Sequence, residues 1–133
     1  MDSSIFKKMK LKPPVSARVL FAPENYPASD DLTWADAGQA DFVHLFVESR
    51  EQFGRRFSQA VESCKENGAI WISYPKSKGK AKYDINRDSL WGLLLAEGYH
   101  PVMQISLGDE WSAVRAKKNE EGVVYERPGN VKK

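Results

Sequence analysis

The chain has 133 residues, 41% hydrophobic and 29% charged, with a formal charge of +2. That length supports one compact domain with its own core, and the composition is that of an ordinary globular protein. So small a basic excess argues against nucleic acid as a partner, the single cysteine (Cys64) excludes an internal disulfide, and no run approaches the roughly 20 apolar residues that span a bilayer.

Residues 1–14 are polar, end in Pro13-Pro14 and lack the apolar stretch of a signal peptide, so a reduced, cytoplasmic setting is expected. A short helical turn over Ile5–Leu11 would pack Ile5, Phe6 and Met9. Arg18–Ala22 (RVLFA) reads as a first strand stopped by Pro23. Asn25–Gln39 contains Pro27, Asp30-Asp31 and Gly38 and reads mainly as loop. Phe42–Val47 (FVHLFV) is nearly all apolar, as a strand buried on both faces requires.

Ser49 and Gln52 have the capping-box spacing and open a helix. Phe53, Phe57, Ala60, Val61 and Cys64 fall on one face of it, and Asn67-Gly68 reads as its stop. Ala69–Tyr74 (AIWISY) is the next strand. A second helix starts at a cap on Asp84 or Asn86, carries the stripe Leu90, Leu93 and Leu94, and ends at Gly98. Val102–Leu107 alternates, with Gln104 and Ser106 on one side, as a strand near an edge does. Gly108-Asp109-Glu110 turns it into Trp111–Ala116, making a hairpin. Residues 119–133 are polar, with proline and glycine, and read as a loosely ordered tail behind a domain of residues 1–118.

Strands alternating with helices imply parallel pairing through right-handed crossovers. The expected fold is α/β: a single-domain, shortened Rossmann-like sheet, mostly parallel, closed by a C-terminal antiparallel hairpin. Its expected strand order is Arg18–Ala22, Phe42–Val47, Ala69–Tyr74, Trp111–Ala116, Val102–Leu107, with the polar-faced Val102–Leu107 outermost.

The fragments RVLFAP, DFVHLFV, AIWISYPK, Asp84–Arg87 and DEWSAV resemble, in order and spacing, an uncharacterised family of small bacterial proteins. The resemblance implies a fold and no reaction. More distantly, residues 41–118 resemble the C-terminal half of the class I methyltransferases that use S-adenosylmethionine. Those enzymes place a glycine-rich loop after their first strand, because only glycine lets backbone approach the cofactor closely. Here that segment is Pro23-Glu24-Asn25-Tyr26-Pro27. They also carry an acidic residue at the end of a second strand, for which the stretch between Ala22 and Asp41 leaves no room. No cofactor is therefore expected.

A ligand of an open α/β sheet sits at the carboxyl ends of its parallel strands. The chain delivers Pro23, Glu24 and Asn25, then Glu48 and Ser49, then Pro75 and Lys76 to that edge, and the helix start Asp84–Arg87 opens on it. Glu24, Asn25, Lys76, Asp84 and Arg87 are the candidate ligand-binding residues, for an anionic small molecule. Lys76, Lys78, Lys80 and Lys82 alternate around Gly79, with Tyr74 and Tyr83 flanking: an anion cradle, or a solvated loop. Asp84, Asn86 and Asp88 are ordinary cap residues, whereas a cation at a helix start is unfavourable, so Arg87 pairs locally or serves a ligand.

His44 reads as a satisfied core residue, His100 sits in a turn and Cys64 on an apolar stripe, so neither metal-ligand spacing nor a catalytic residue is visible. Trp71, Trp91 and Trp111 read as structural; Trp34 covers the core edge or acts as a lid or partner contact. The leading expectation is a non-enzymatic binding or regulatory module. The alternative is a small methyltransferase-like enzyme, or one acting on a phosphorylated small molecule.

Overall fold

A computed structural model describes residues 3–11, 15–27, 29, 32–76 and 83–123. Its elements are α1 (Ile5–Lys8), β1 (Val15–Leu20), β2 (Leu32–Trp34), β3 (Ala40–Phe46), α2 (Arg50–Glu62), β4 (Cys64–Pro75), α3 (Arg87–Ala96), β5 (Tyr99–Ser106) and β6 (Trp111–Lys118). They build one six-stranded sheet of order β2-β1-β3-β4-β6-β5. β1 is parallel to β2 and β3, and β3 to β4; β6 runs antiparallel between β4 and β5. This is the expected α/β, Rossmann-like order with one strand added.

The added strand is β2. It lies in the stretch read as loop because it is three residues long and buries only Leu32 among them, too little for any periodicity to show. β1 starts earlier than expected, at Val15, and stops at Leu20 because Phe21 turns left-handed at φ 61°. Ala22, expected in that strand, therefore lies beyond it.

α2 is also shorter than its apolar stripe suggests. Ser49 caps it, with Oγ accepting from the Gln52 amide at 3.1 Å, and Gln52 Oε1 accepts from the Glu48 amide at 2.7 Å. The helix ends at Glu62, and Cys64 already belongs to β4, opposite Ala40. Asn67-Gly68 is therefore no helix stop. It bulges β4, whose register with β3 jumps from Ala40–Cys64 to Phe42–Ala69. Asn67 takes φ 68°, and a Cβ on Gly68 would lie 2.9 Å from the carbonyl oxygens of Asp41 and Lys65. In α3, Asn86 and Ser89 cap each other's backbone amides, and Leu90 and Leu94 are buried. Pro101 sits beside a register shift on the edge strand β5, where a missing amide donor costs least.

Strand alternation separates two cores. One face carries Val43, Leu45, Val47, Ile70 and Ile72 against Phe53, Phe57, Leu90 and Leu94 of α2 and α3. The other carries Ala17, Phe42, Trp71 and Ala113 against Ile5, Phe6 and Met9. On this second face the cover is the four-residue α1 and the chain between β1 and β2. Tyr26 of that connection meets Phe6, Trp34, His44 and Phe46 edge-on, at centroid distances of 5.3–6.0 Å. No helix among the described residues is long and apolar enough to cross a membrane.

Candidate functional site

The connection after β1 crosses the Tyr26 face toward β2, whereas α2 crosses the opposite face toward β4. The strands β1 and β3 thus send their chains in opposite directions, and their carboxyl ends open the crevice where such sheets take ligands.

Each expected site residue lies on or beside this edge. Pro23–Tyr26 is a tight turn closed by the Tyr26 amide on the Pro23 carbonyl at 3.1 Å, with Glu24 and Asn25 exposed at its tip. Asn25 also lines a cavity of about 390 Å³ between α1 (Ser4, Ile5, Lys8) and the β5–β6 turn (Leu107–Trp111). Lys76 follows β4 and donates from Nζ to Ser106 Oγ at 2.6 Å and to the Gly108 carbonyl at 2.7 Å. An ammonium has three N–H groups, and these bonds use two of them among the described residues. Asp84 spans to the start of α2: Oδ1 accepts from the Arg50 amide at 3.0 Å, and its carbonyl accepts from Arg50 Nε at 2.7 Å. Arg87 is exposed, with Nε 3.9 Å from Asp88 Oδ1. Lys76 and Asp84 thus brace the edge, tying β4 to the hairpin and α3 to α2. Lys78, Gly79, Lys80 and Lys82 lie outside the described residues.

Two groups at the edge carry no signal in the sequence. Phe21, left-handed at φ 61°, holds its ring 48% exposed. The Arg56 guanidinium lies 3.9 Å over that ring, and its Nη1 donates to the Phe46 carbonyl at 3.0 Å. Arg56 therefore bridges from α2 across the ends of β3 and β1.

Beneath the edge, His44 is fully buried and stacked on Phe46, centroids 4.4 Å apart. It shares hydrogen bonds with Tyr26 Oη (2.8 Å, Nδ1) and Ser73 Oγ (2.6 Å, Nε2). Burial lowers its pKa to about 3 and raises that of Tyr26, so the imidazole stays neutral, donating from one nitrogen and accepting at the other. Ser73 is as inaccessible as His44. The trio is an internal strut that pins Tyr26, in the β1–β2 connection, to the sheet. Among the described residues no group of three or more His, Cys, Asp or Glu side chains is placed to hold a metal ion.

A Rossmann-type sheet with an antiparallel penultimate-position strand and a switch point between β1 and β3 defines a methyltransferase-like fold, and solved structures agree. The chain is similar to a ribosomal protein L11 methylase from Lactobacillus delbrueckii subsp. bulgaricus (10% identity, TM-score 0.54, 86% of this chain and 74% of that one). It is similar to the glycopeptide N-methyltransferase MtfA (11% identity, TM-score 0.57, 86% and 88%). It also matches a protein of the NADB-Rossmann superfamily from Streptococcus agalactiae (6% identity, TM-score 0.53, 93% and 71%). No protein-family model and no curated protein matches the sequence. Likeness at such identities establishes the fold. That fold is the one the methyltransferase-like alternative implies, and no observation supports the leading expectation, a non-enzymatic binding or regulatory module.

The fold raises the question of S-adenosylmethionine. β2 supplies a second strand, but it ends opposite Ala17, in the first half of β1. Asp36, two residues on, has its carbonyl 3.4 Å from Arg18 Nη2, whose Nη1 reaches Ser63 just before β4, so it lies toward the amino edge and not at the carboxyl edge where the resemblance places an acid. The decisive position does not fit. The left-handed residue after β1, where glycine would admit the cofactor, is Phe21 under Arg56.

Proposed function

We propose that the chain is a methyltransferase-like protein that works at the carboxyl edge of its sheet, on an anionic, phosphorylated small molecule instead of S-adenosylmethionine. The observation that carries this reading is the switch point itself: β1 and β3 part there, and Phe21 with Arg56 stands where a glycine loop would be. Glu24, Asn25, Lys76, Asp84 and Arg87 ring this edge. Lys76 and Arg87 supply positive charge, and Glu24 and Asp84 accept from ligand hydroxyls or orient the cations.

The test is a backbone amide titration of the full chain by NMR, first with inorganic phosphate and then with S-adenosylmethionine. Phosphate is expected to shift residues 23–25, 48–49, 75–76 and 83–88, and Lys76→Ala/Arg87→Ala to abolish those shifts. S-adenosylmethionine is expected to bind no tighter than about 100 μM, roughly −5.5 kcal/mol. The second reading, cofactor-dependent methyl transfer, is supported by the likeness of the fold to solved methyltransferases. A low-micromolar dissociation constant for S-adenosylmethionine would establish that reading and overturn the first.

A further inference from the structure

A bulky aromatic residue resists a left-handed backbone, and such outliers persist where the surroundings enforce them, often at ligand clamps. Phe21 is one, at φ 61°. The conformation turns its ring out of the core, 48% exposed, which loses the burial an aromatic ring ordinarily gains. One face of the ring is covered by the Arg56 guanidinium at 3.9 Å. Of its five N–H groups, only Nη1 has a hydrogen-bond acceptor among the described residues, the Phe46 carbonyl. A flat apolar surface and an under-used planar cation therefore stand together over the switch point. A phosphate alone would have no use for the ring, and an apolar ligand none for the guanidinium.

We propose that Phe21 and Arg56 form a two-part site for a nucleoside phosphate, whose base stacks on the Phe21 ring while the guanidinium swings off the ring and pairs with the phosphate. Stacking on an aromatic ring tolerates any base, and a guanidinium pairs with phosphate through two parallel hydrogen bonds. The inference rests on the reading that this edge is the working site, and it names the ligand class.

The probes are adenosine 5′-diphosphate and inorganic pyrophosphate, titrated by NMR into the full chain. Both are expected to shift residues 20–22, 46–48 and the Arg56 side chain. Phe21→Gly keeps the left-handed backbone and removes the platform. It is expected to weaken the nucleotide about tenfold, the size of a typical stacking contribution, and to leave pyrophosphate unchanged. Phe21→Asn, also at ease at that φ, is the second variant and should behave alike. Arg56→Lys is expected to weaken both probes. If both probes shift the edge but neither Phe21 variant discriminates between them, the two-part site is wrong and the edge stands. If neither probe shifts the edge, both the inference and the site reading beneath it fall.

Discussion

His44 makes the stability of the protein depend on pH in a direction set by its burial. Its folded pKa is about 3 against an ordinary 6.5, so as pH falls the unfolded chain takes up the proton first. The contribution is complete above pH 6.5 and is lost as pH falls toward 3. Between pH 7 and pH 5 it amounts to about 2 kcal/mol. Urea denaturation at the two pH values should show this loss, and His44→Asn should remove most of it. An unchanged loss in the variant would assign the pH dependence to other groups. Asp41 is separable, because Ser16 amide and hydroxyl donors hold its carboxyl below the ordinary value of 3.8. Its contribution is present above that value and lost only as pH falls through the lowered one. His44 was legible as a core residue, because a lone histidine in FVHLFV has apolar neighbours on every side. Phe21 and Arg56 were not. Nothing in the letters RVLFAP signals a left-handed phenylalanine, and Arg56 sits at an unremarkable position on a helix.

At the scale of elements, local rules explain what could be read. Ser49 with Gln52 marks a helix start by side-chain–backbone hydrogen bonds within a few residues, so sequence suffices there; at the second helix the letters allow a cap on Asp84 or Asn86, and the bond from the Ser89 amide puts it on Asn86. The end of α2 failed for an equally local reason. Asn-Gly is a helix-stop signal, and Cys64 continues the apolar stripe; pairing with Ala40 of β3 overrides both. The bulge gives a sharp contrast among the glycines. A Cβ at Gly68 meets two backbone carbonyl oxygens at 2.9 Å and Cys64 Sγ at 2.7 Å, whereas at Gly54 in α2 and Gly92 in α3 it meets nothing within 4 Å. Gly68→Ala should therefore destabilise by about 2 kcal/mol or more, the cost of overpacking a site that backbone cannot vacate. Gly54→Ala and Gly92→Ala should stabilise by about 0.5–1 kcal/mol each, through helix propensity. Denaturant midpoints of the three variants check the signs. A tolerated Gly68→Ala would mean that the bulge relaxes.

At the scale of the molecule, the sheet order of the five longer strands was legible, because it follows from crossovers and one hairpin. The uneven cover was not. Helices shield one face, while the other relies on α1 and the Tyr26 connection, whose hold is a buried hydrogen-bond trio and edge-on rings. Long-range contacts of that kind leave no periodic trace in a sequence. The edge residues Glu24, Asn25, Lys76 and Asp84 were readable, since each falls where a strand ends or a helix begins.

The placement of β6 also governs when the protein can form. β5 is joined to the sheet only through β6, which occupies the slot beside β4. A ribosome that has released residues 1–108 has therefore made every strand but one, yet β4 still has a bare edge and β5 has no neighbour. Unpaired edges of that length invite pairing with other chains. The order of synthesis opposes the order of the sheet, and the domain closes only when residue 118 is free. A fragment of residues 1–108 should accordingly be aggregation-prone and lack a cooperative thermal transition. A soluble fragment that melts cooperatively would show that the remaining strands suffice.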